Sequence, residues 1–328
     1  MKHFWTPLLL ACVLFASMAA SNPDQPGNNG SLLTAAWTDK TAQPAPQPIY
    51  LMMTGDIMLG RYIATLRERN GGDFPFSHMA EVMSAVKTKL GADHLDLVAS
   101  NLEGPIVEQQ VAWGDLVFRF DPEVSALLKK VGFTTFQMSN NHTYNQTREG
   151  LSETQAHLHD DGLDYFGLPD TANDPGSFLS YNFNGTTVGF LGLNDTDFRL
   201  DTDAALAKIK ELDPTVDVLI VAIHWGVEYR TTNTQNQQDL AHAFIDSGAD
   251  FIWGTHPHVV ENSEVYNGKT IYYSLGNFVF DQYFSSDVKH GLVLGLTITP
   301  ASDGTAPTLT PVEVPVELVN GGEPTPQL

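Results

Sequence analysis

The chain has 328 residues, 42 % of them hydrophobic and 10 % aromatic, enough to bury a real core and to exclude a wholly disordered polypeptide. Its 39 acidic residues against 17 basic ones leave a formal net charge of −22, a field that repels nucleic acid and attracts cations. An anionic substrate would need local positive charge, most simply a metal ion, to overcome that field.

The first residues read as an export signal. Lys2 and His3 precede an apolar stretch over residues 8–20, broken only by Ser17. A membrane span needs about 20 apolar residues, and this stretch is short of that. Small residues at Ser17, Ala19 and Ala20 place a cleavage site near Ala20. An uncleaved N-terminal anchor is the alternative. Leu9, Leu10, Ala11 and Cys12 also loosely resemble a lipobox, although the apolar run continues past Cys12. Cys12 is the only cysteine, so a chain cleaved near Ala20 has no disulfide, and any metal must be held by nitrogen and oxygen. Residues 21–48 form a Pro/Asn/Gly-rich linker, residues 49–300 the folded domain and residues 301–328 a tail. In the tail, VEVPVELV suits an edge strand, where its proline is tolerated, and the last residues read as disordered.

Apolar runs suited to buried strands begin at Ile49, Leu95, Phe133, Thr187, Asp217, Asp250 and Thr270. Helix-like segments cover 77–90, 122–131, 147–160, 203–212 and 236–247. Pro122 and Asp203 stand at starts, and Gly132, Gly162 and Gly248 at stops. This alternation predicts an α/β fold with a sheet covered by helices. Denser strand content after Phe178 predicts antiparallel strands that either extend that sheet or form a second one.

Five of these strands run into a short polar cluster. The clusters are GDIMLGR from Gly55, NLEGP from Asn101, SNNH from Ser139, HWGVE from His224 and GTHPH from Gly254. In open α/β sheets, ligands bind beyond the carboxyl ends of the strands. Carboxylate, amide oxygen and imidazole are the ligands of hydrolytic Zn, Mn or Fe centres. Asp56 and Glu103 supply negative charge, with Glu103 suited to bridge. Asn141 is a neutral oxygen ligand, and His142 beside it is suited to face substrate. His256 and His258 are two apart, so an extended segment would point both the same way, onto one metal or two adjacent ones. Any one cluster alone is an ordinary turn or cap; the ordered set carries the reading. Arg61 could hold an anionic group or form a surface salt bridge. Asn277 could line the pocket or serve a turn. Glu228 and Glu261 are suited to support histidine N–H groups. Trp225 and Trp253 read as core, and His157, His159 and His242, on helix-like segments, as solvated.

The ordered set GDIMLGR, NLEGP, SNNHTYN, HWGVEY, GTHPHVVE and YSLGNFVFDQ resembles the CapA family of capsule or poly-γ-glutamate synthesis proteins, over residues 49–299. That family lies within the calcineurin-like metallophosphatase superfamily. The resemblance implies an α/β fold, a four-layer sandwich of two mixed β-sheets flanked by helices. It implies metal ligands at Asp56, Glu103 (rather than Asn101), Asn141, His224, His256 and His258, with His142 acting on the leaving group. The superfamily carries a histidine two residues after the first aspartate. Here that residue is Met58, so one metal position loses a ligand and the centre holds one or two divalent ions (Mn, Zn or Fe). Asn145 stands where related motifs often carry Asp, which alters the support behind His142.

Two function classes follow. One is an exported protein of capsule or poly-γ-glutamate synthesis or export, with a metal-dependent hydrolase site for a phosphoester or a γ-glutamyl amide. The other is a non-catalytic component that binds polymer or scaffolds an envelope-polymer machine. The expected partners are an anionic polymer or small phosphoester and envelope synthesis or export proteins. Nucleic acid is not expected, and the membrane is reached only through an uncleaved signal or a lipid anchor.

Overall fold

The computed structural model describes residues 47–168, 177–196 and 200–327. The predicted signal and nearly all of the linker lie outside the described residues. Among those residues the strands form two mixed sheets. In the first, β1 (Ile49–Ile57), β2 (Leu97–Leu102), β3 (Thr135–Gln137) and β4 (Asp164–Phe166) run parallel. In the second, β5 (Phe178–Phe183) pairs antiparallel with β6 (Thr186–Asp195), and β6, β7 (Val218–Trp225) and β8 (Phe251–Thr255) run parallel. The hairpin of β9 (Ser263–Tyr266) and β10 (Lys269–Tyr272) closes that sheet beside β8. Short β11 (Asn277–Val279) returns to β1. Antiparallel β12 (His290–Thr299), β13 (Thr308–Val319) and β14 (Glu323–Pro326) extend the first sheet on the other side of β1.

Side-chain alternation sets the layers. Along β7, Val218, Ile220 and Ala222 enter a core between the sheets. Leu219, Val221 and Ile223 pack instead with Ala205 and Ile209 of α5 (Thr202–Leu212) and Phe244 of α6 (Gln235–Asp246). In the first sheet, Leu51, Met53, Leu97 and Ala99 face the inter-sheet core. Met52 and Val98 face the other way. They pack with α1 (Arg61–Asn70), α2 (Met79–Leu90), α3 (Glu123–Lys130) and α4 (Thr147–Asp160) through Ile63, Val86, Leu128 and Leu158. The result is helix, sheet, sheet, helix, the four-layer sandwich implied by the resemblance. Among the described residues no helix is long and apolar enough to cross a membrane.

Several elements differ from the sequence reading. The run from Thr270 is not one strand: β10 pairs with β8 in one sheet and β11 with β1 in the other, so the chain crosses between sheets. Glycines make room for that crossing. A Cβ on Gly55 would lie 1.8 Å from the Gly276 carbonyl oxygen, and one on Gly254 would lie 1.9 Å from that of Tyr273. The tail is not an edge strand followed by disorder. β13 pairs with β12 from Thr308 to Glu317, and β14 forms the edge, with Val316 opposite Pro326. Pro311 precedes that pairing, and Pro315 stands at its start, where it lacks only an N–H and its carbonyl accepts from the Gln327 N–H at 2.8 Å. Helix α1 was not anticipated, because RYIATLRERN is polar and buries only Ile63. Asp201, not Asp203, caps α5, its carboxylate accepting from the Ala204 N–H at 3.0 Å.

Candidate metal centre

The inter-sheet face turns polar at the carboxyl ends of the strands. β1 and β2 are in register through Met53 opposite Ala99 and resume at Asp56 opposite Asn101. β1 therefore holds one extra residue, and this bulge returns Asp56 to the face that Leu51 and Met53 occupy. Thr54 donates to Ser100 Oγ (2.7 Å), which donates to the Gly55 carbonyl (2.8 Å) and pins the bulge. Asn101 follows Leu97 and Ala99 on the same face, His224 follows Val218, Ile220 and Ala222, and Thr255 follows Phe251 and Trp253. Glu103 lies just past β2, its N–H bonded to the Ile57 carbonyl at 2.9 Å.

Donor atoms of Asp56, Glu103 and His258 all lie within 4.8 Å of one another, and so do those of Glu228, His256 and His258. Asp56, Glu103 and His224 are fully buried. Asp56 Oδ1 accepts from the Asn101 amide (2.7 Å). Asp56 Oδ2 accepts from the His256 backbone N–H (3.3 Å) and lies 3.2 Å from His258 Nδ1. Asn101 acts as a spacer: its amide nitrogen also lies 3.4 Å from Glu103 Oε2, and its oxygen accepts from Asn140 at 3.0 Å. Asn140, absent from the sequence reading, ties the β3 loop together. It donates to the Leu102 carbonyl (2.8 Å) and accepts from the His142 N–H (3.1 Å) and the Thr143 hydroxyl (3.0 Å). The doubled Asn before His142 was the only signal for it in the sequence.

His256 and His258 do not share an extended segment. They have φ of +98° and +58°, the left-handed region that costs non-glycine residues energy. The Tyr229 N–H bonds the carbonyl of Pro257 between them at 2.8 Å, and their rings lie 6.0 Å apart. His224 pairs with Thr255 Oγ1 through Nδ1 (2.9 Å) and with Asn141 Oδ1 through Nε2 (3.0 Å); its ring lies 4.7 Å from that of His256. The six residues read as ligands therefore gather at one end of the inter-sheet core.

Burial and mutual repulsion set the electrostatics of this cluster. Burial, then the neighbouring imidazoles His256, His258 and His142, holds His224 well below the ordinary histidine range. Burial, then His258, takes His256 down to about 3. Burial, then the charges of Asp56 and Glu228, pushes the Glu103 carboxyl well above its ordinary range, with Arg61 opposing. Buried Glu103 Oε1 and His256 Nδ1 have no hydrogen-bond partner. Neutral imidazoles, carboxylates and these two orphaned atoms fit a divalent cation held by nitrogen and oxygen.

The remaining predicted residues surround this cluster. The Asn145 oxygen accepts from the Phe118 N–H (2.6 Å) and faces His142 Nδ1 at 2.9 Å, so Nδ1 donates to it. His142 Nε2 then lies toward the cluster, 3.7 Å from Glu103 Oε1. Phe118 stacks on the His142 ring, centroids 3.9 Å apart, and the Arg61 guanidinium lies 4.9 Å from the Phe118 ring centre. Arg61 takes the salt-bridge alternative: it pairs with Asp281 and also donates to the Asp115 carbonyl at 3.2 Å. Asn277 is buried behind His258. Its oxygen faces His258 Nδ1 at 3.0 Å, while its amide donates to Gln282 and the Val288 carbonyl, both at 3.0 Å. That leaves His258 Nε2 as the ligand nitrogen. Met58 is buried, and its sulfur accepts the Gly60 N–H at 3.2 Å. Glu261 bonds Gln237 at 2.7 Å. Trp225 and Trp253 are core. His242 is not simply solvated, because its ring stacks on Tyr266 at 3.7 Å.

The layers and the site at the strand ends define a metallophosphatase-like α/β sandwich. The same fold appears in a phosphatase from Mycoplasma pneumoniae. The TM-score is 0.51 at 15 % identity, over 83 % of this chain and 95 % of that one. Residues 50–282 match the family described as bacterial capsule synthesis protein PGA_cap. The chain is 31 % identical over 290 residues to the capsule biosynthesis protein CapA of Bacillus anthracis, covering 80 % of this chain and 68 % of that protein. It is 33 % identical over 264 residues to the PGA biosynthesis protein CapA of Bacillus subtilis (strain 168), covering 75 % and 67 %. The chain belongs to this CapA family of bacterial capsule synthesis proteins.

Proposed function

We propose that this protein is an exported, divalent-metal-dependent hydrolase of capsule or poly-γ-glutamate synthesis, cleaving a phosphoester or a γ-glutamyl amide. The observation that carries it is the buried convergence of Asp56, Glu103 and His258 around a carboxylate oxygen without a hydrogen-bond partner. The names of its relatives support the capsule context. The leader read in residues 1–20 would place it outside the membrane, where such a polymer accumulates.

Asp56, Glu103 and His258 would hold the cation, with Asn141, His224 and His256 on the adjoining side. A bound divalent cation supplies Lewis-acid polarisation of the scissile group and a more acidic attacking water. With Nδ1–H donated to Asn145, His142 exchanges protons at Nε2, the atom that delivers one to the leaving group. Phe118, stacked on the ring, fixes its plane and keeps water from one side. A substrate carboxylate or phosphate at the rim would compete with Asp281 for Arg61.

The test uses protein loaded with Mn²⁺, assayed on nitrophenyl phosphate and on poly-γ-glutamate by chain length. Turnover should vanish with EDTA. It should fall about 10²–10⁴-fold in His142→Ala while metal content is retained. Bound metal without turnover on either substrate would overturn the hydrolase reading in favour of a non-catalytic, polymer-binding component.

A further inference from the structure

Glu228 follows the end of β7 and belongs to neither sheet. Its position is nevertheless built. Gly226 turns the chain at φ +90° and Tyr229 at φ +65°. The Tyr229 N–H then bonds the Pro257 carbonyl at 2.8 Å, which docks this loop onto the histidine turn. The docking brings a Glu228 carboxylate oxygen and nitrogens of His256 and His258 within 4.8 Å of one another. Tyr229 itself lies over the same turn, its ring centre 6.1 Å from that of His258.

Two observations separate this arrangement from an ordinary exposed glutamate. His256 is only 8 % exposed, and its Nδ1 has no hydrogen-bond partner. Charge is the second. Asp56, Glu103 and Glu228 surround His258 with three carboxylates, while the guanidinium of Arg61 is already paired with Asp281. One divalent ion offsets two of those three charges, so the arrangement can take up a cation without becoming positive overall. His258 belongs to both triads and has one nitrogen to give, because its Nδ1 donates to Asn277. The buried triad and the solvent-side triad therefore share His258.

We propose that Glu228 is a metal ligand on the solvent side of the centre, holding a divalent cation together with His256 and His258. This rests on the metal centre proposed above and adds a ligand to it. Glu228 is then the group through which the ion enters and leaves, since it alone of the two triads is exposed.

The experiment titrates Mn²⁺ into the metal-free full chain, reading free Mn²⁺ by its electron paramagnetic resonance signal and release by transfer to EDTA. Wild type, Glu228→Gln, Glu228→Asp, Asp56→Asn and Glu261→Gln are compared. Glu228→Gln should bind Mn²⁺ about 10-fold or more weakly and release it faster. Glu228→Asp should recover part of the affinity, and Glu261→Gln, whose carboxylate bonds Gln237, should match wild type. Unchanged affinity and release in Glu228→Gln, with binding lost in Asp56→Asn, overturns the assignment of Glu228 alone. A wild type that binds no Mn²⁺ overturns the metal centre and this ligand with it.

Discussion

The space between the two sheets has two halves built on the same strand faces. In one half Leu51, Met53, Leu97, Ala99, Val218, Ile220, Phe251 and Trp253 form an apolar core. In the other, two to four residues further along the same strands, stand Asp56, Asn101, His224 and Thr255, with Glu103 just beyond β2. Both halves are buried, but burial acts on them with opposite sign. Apolar area removed from water stabilises at about 25 cal/mol per Å². A carboxylate removed from water costs several kcal/mol unless charge or hydrogen bonds replace the lost solvation. The first half therefore holds the sheets together under any condition. In the second half that cost is not fully offset by the protein's own groups, and Glu103 Oε1, buried without a hydrogen-bond partner, marks where it falls.

The largest effect should come from setting the two halves against each other. Asp56→Asn should weaken Mn²⁺ binding by about 10³-fold, roughly 4 kcal/mol, and remove hydrolysis with it. Its metal-free form should nonetheless unfold at the same or a higher urea concentration than wild type, because one buried negative charge is gone. Trp253→Ala, in the apolar half, should lose about 3–5 kcal/mol of stability whether or not metal is present. If urea unfolding in EDTA shows Asp56→Asn losing as much as Trp253→Ala, the two halves are not separable in this way.

A smaller effect concerns pH. Burial, then Asp56, raises the folded Glu103 carboxyl above its ordinary 4.5. Between 4.5 and that raised value the folded protein keeps a proton that the unfolded chain releases. Stability contributed by this group is thus full below 4.5 and lost as pH rises toward the folded value. In EDTA, Glu103→Gln should flatten that decline between pH 5 and pH 8. With Mn²⁺ bound, the same substitution should destabilise, since the carboxylate then faces a cation. Urea midpoints at the two pH values, with and without Mn²⁺, check both signs. A wild-type decline that survives in Glu103→Gln would assign it to another group.

Much of this was legible in the sequence because it is local. Apolar runs ending in polar clusters located the ends of β1, β2, β3, β7 and β8, and the segment 147–160 coincides with α4 at both ends. Features that depend on distant pairing were not legible. The bulge before Asp56 exists only relative to β2, and the crossing after β10 only relative to β1. Glu228 reaches the histidine turn through a backbone bond from Tyr229 to Pro257, which no spacing in HWGVEY encodes. The start of α6 was read one residue late, at 236 rather than Gln235, although a local signal for it exists. Thr234 and Gln237 form a capping box, a pattern of Thr followed three residues later by Gln.

The smallest effect tests whether buried carboxylates outside the centre behave differently from those inside it. Glu261 is 5 % exposed, accepts one hydrogen bond from Gln237 and has a second oxygen without a partner. Burial pushes its carboxyl from the ordinary 4.5 up to about 7, with the Gln237 hydrogen bond and the Arg230 charge opposing. The sign matches that of Glu103: full stability below 4.5, lost as pH rises through about 7. Glu261→Gln should therefore raise stability at pH 8 by about 1–3 kcal/mol and change little at pH 4.5. Unlike Glu103→Gln, it should do so equally in EDTA and in Mn²⁺, because its carboxylate faces an amide and not the cation. A gain at pH 8 that appears only in EDTA would mean that Glu261 shares the field of the metal, and the boundary between the centre and its surroundings would have to move out to include it.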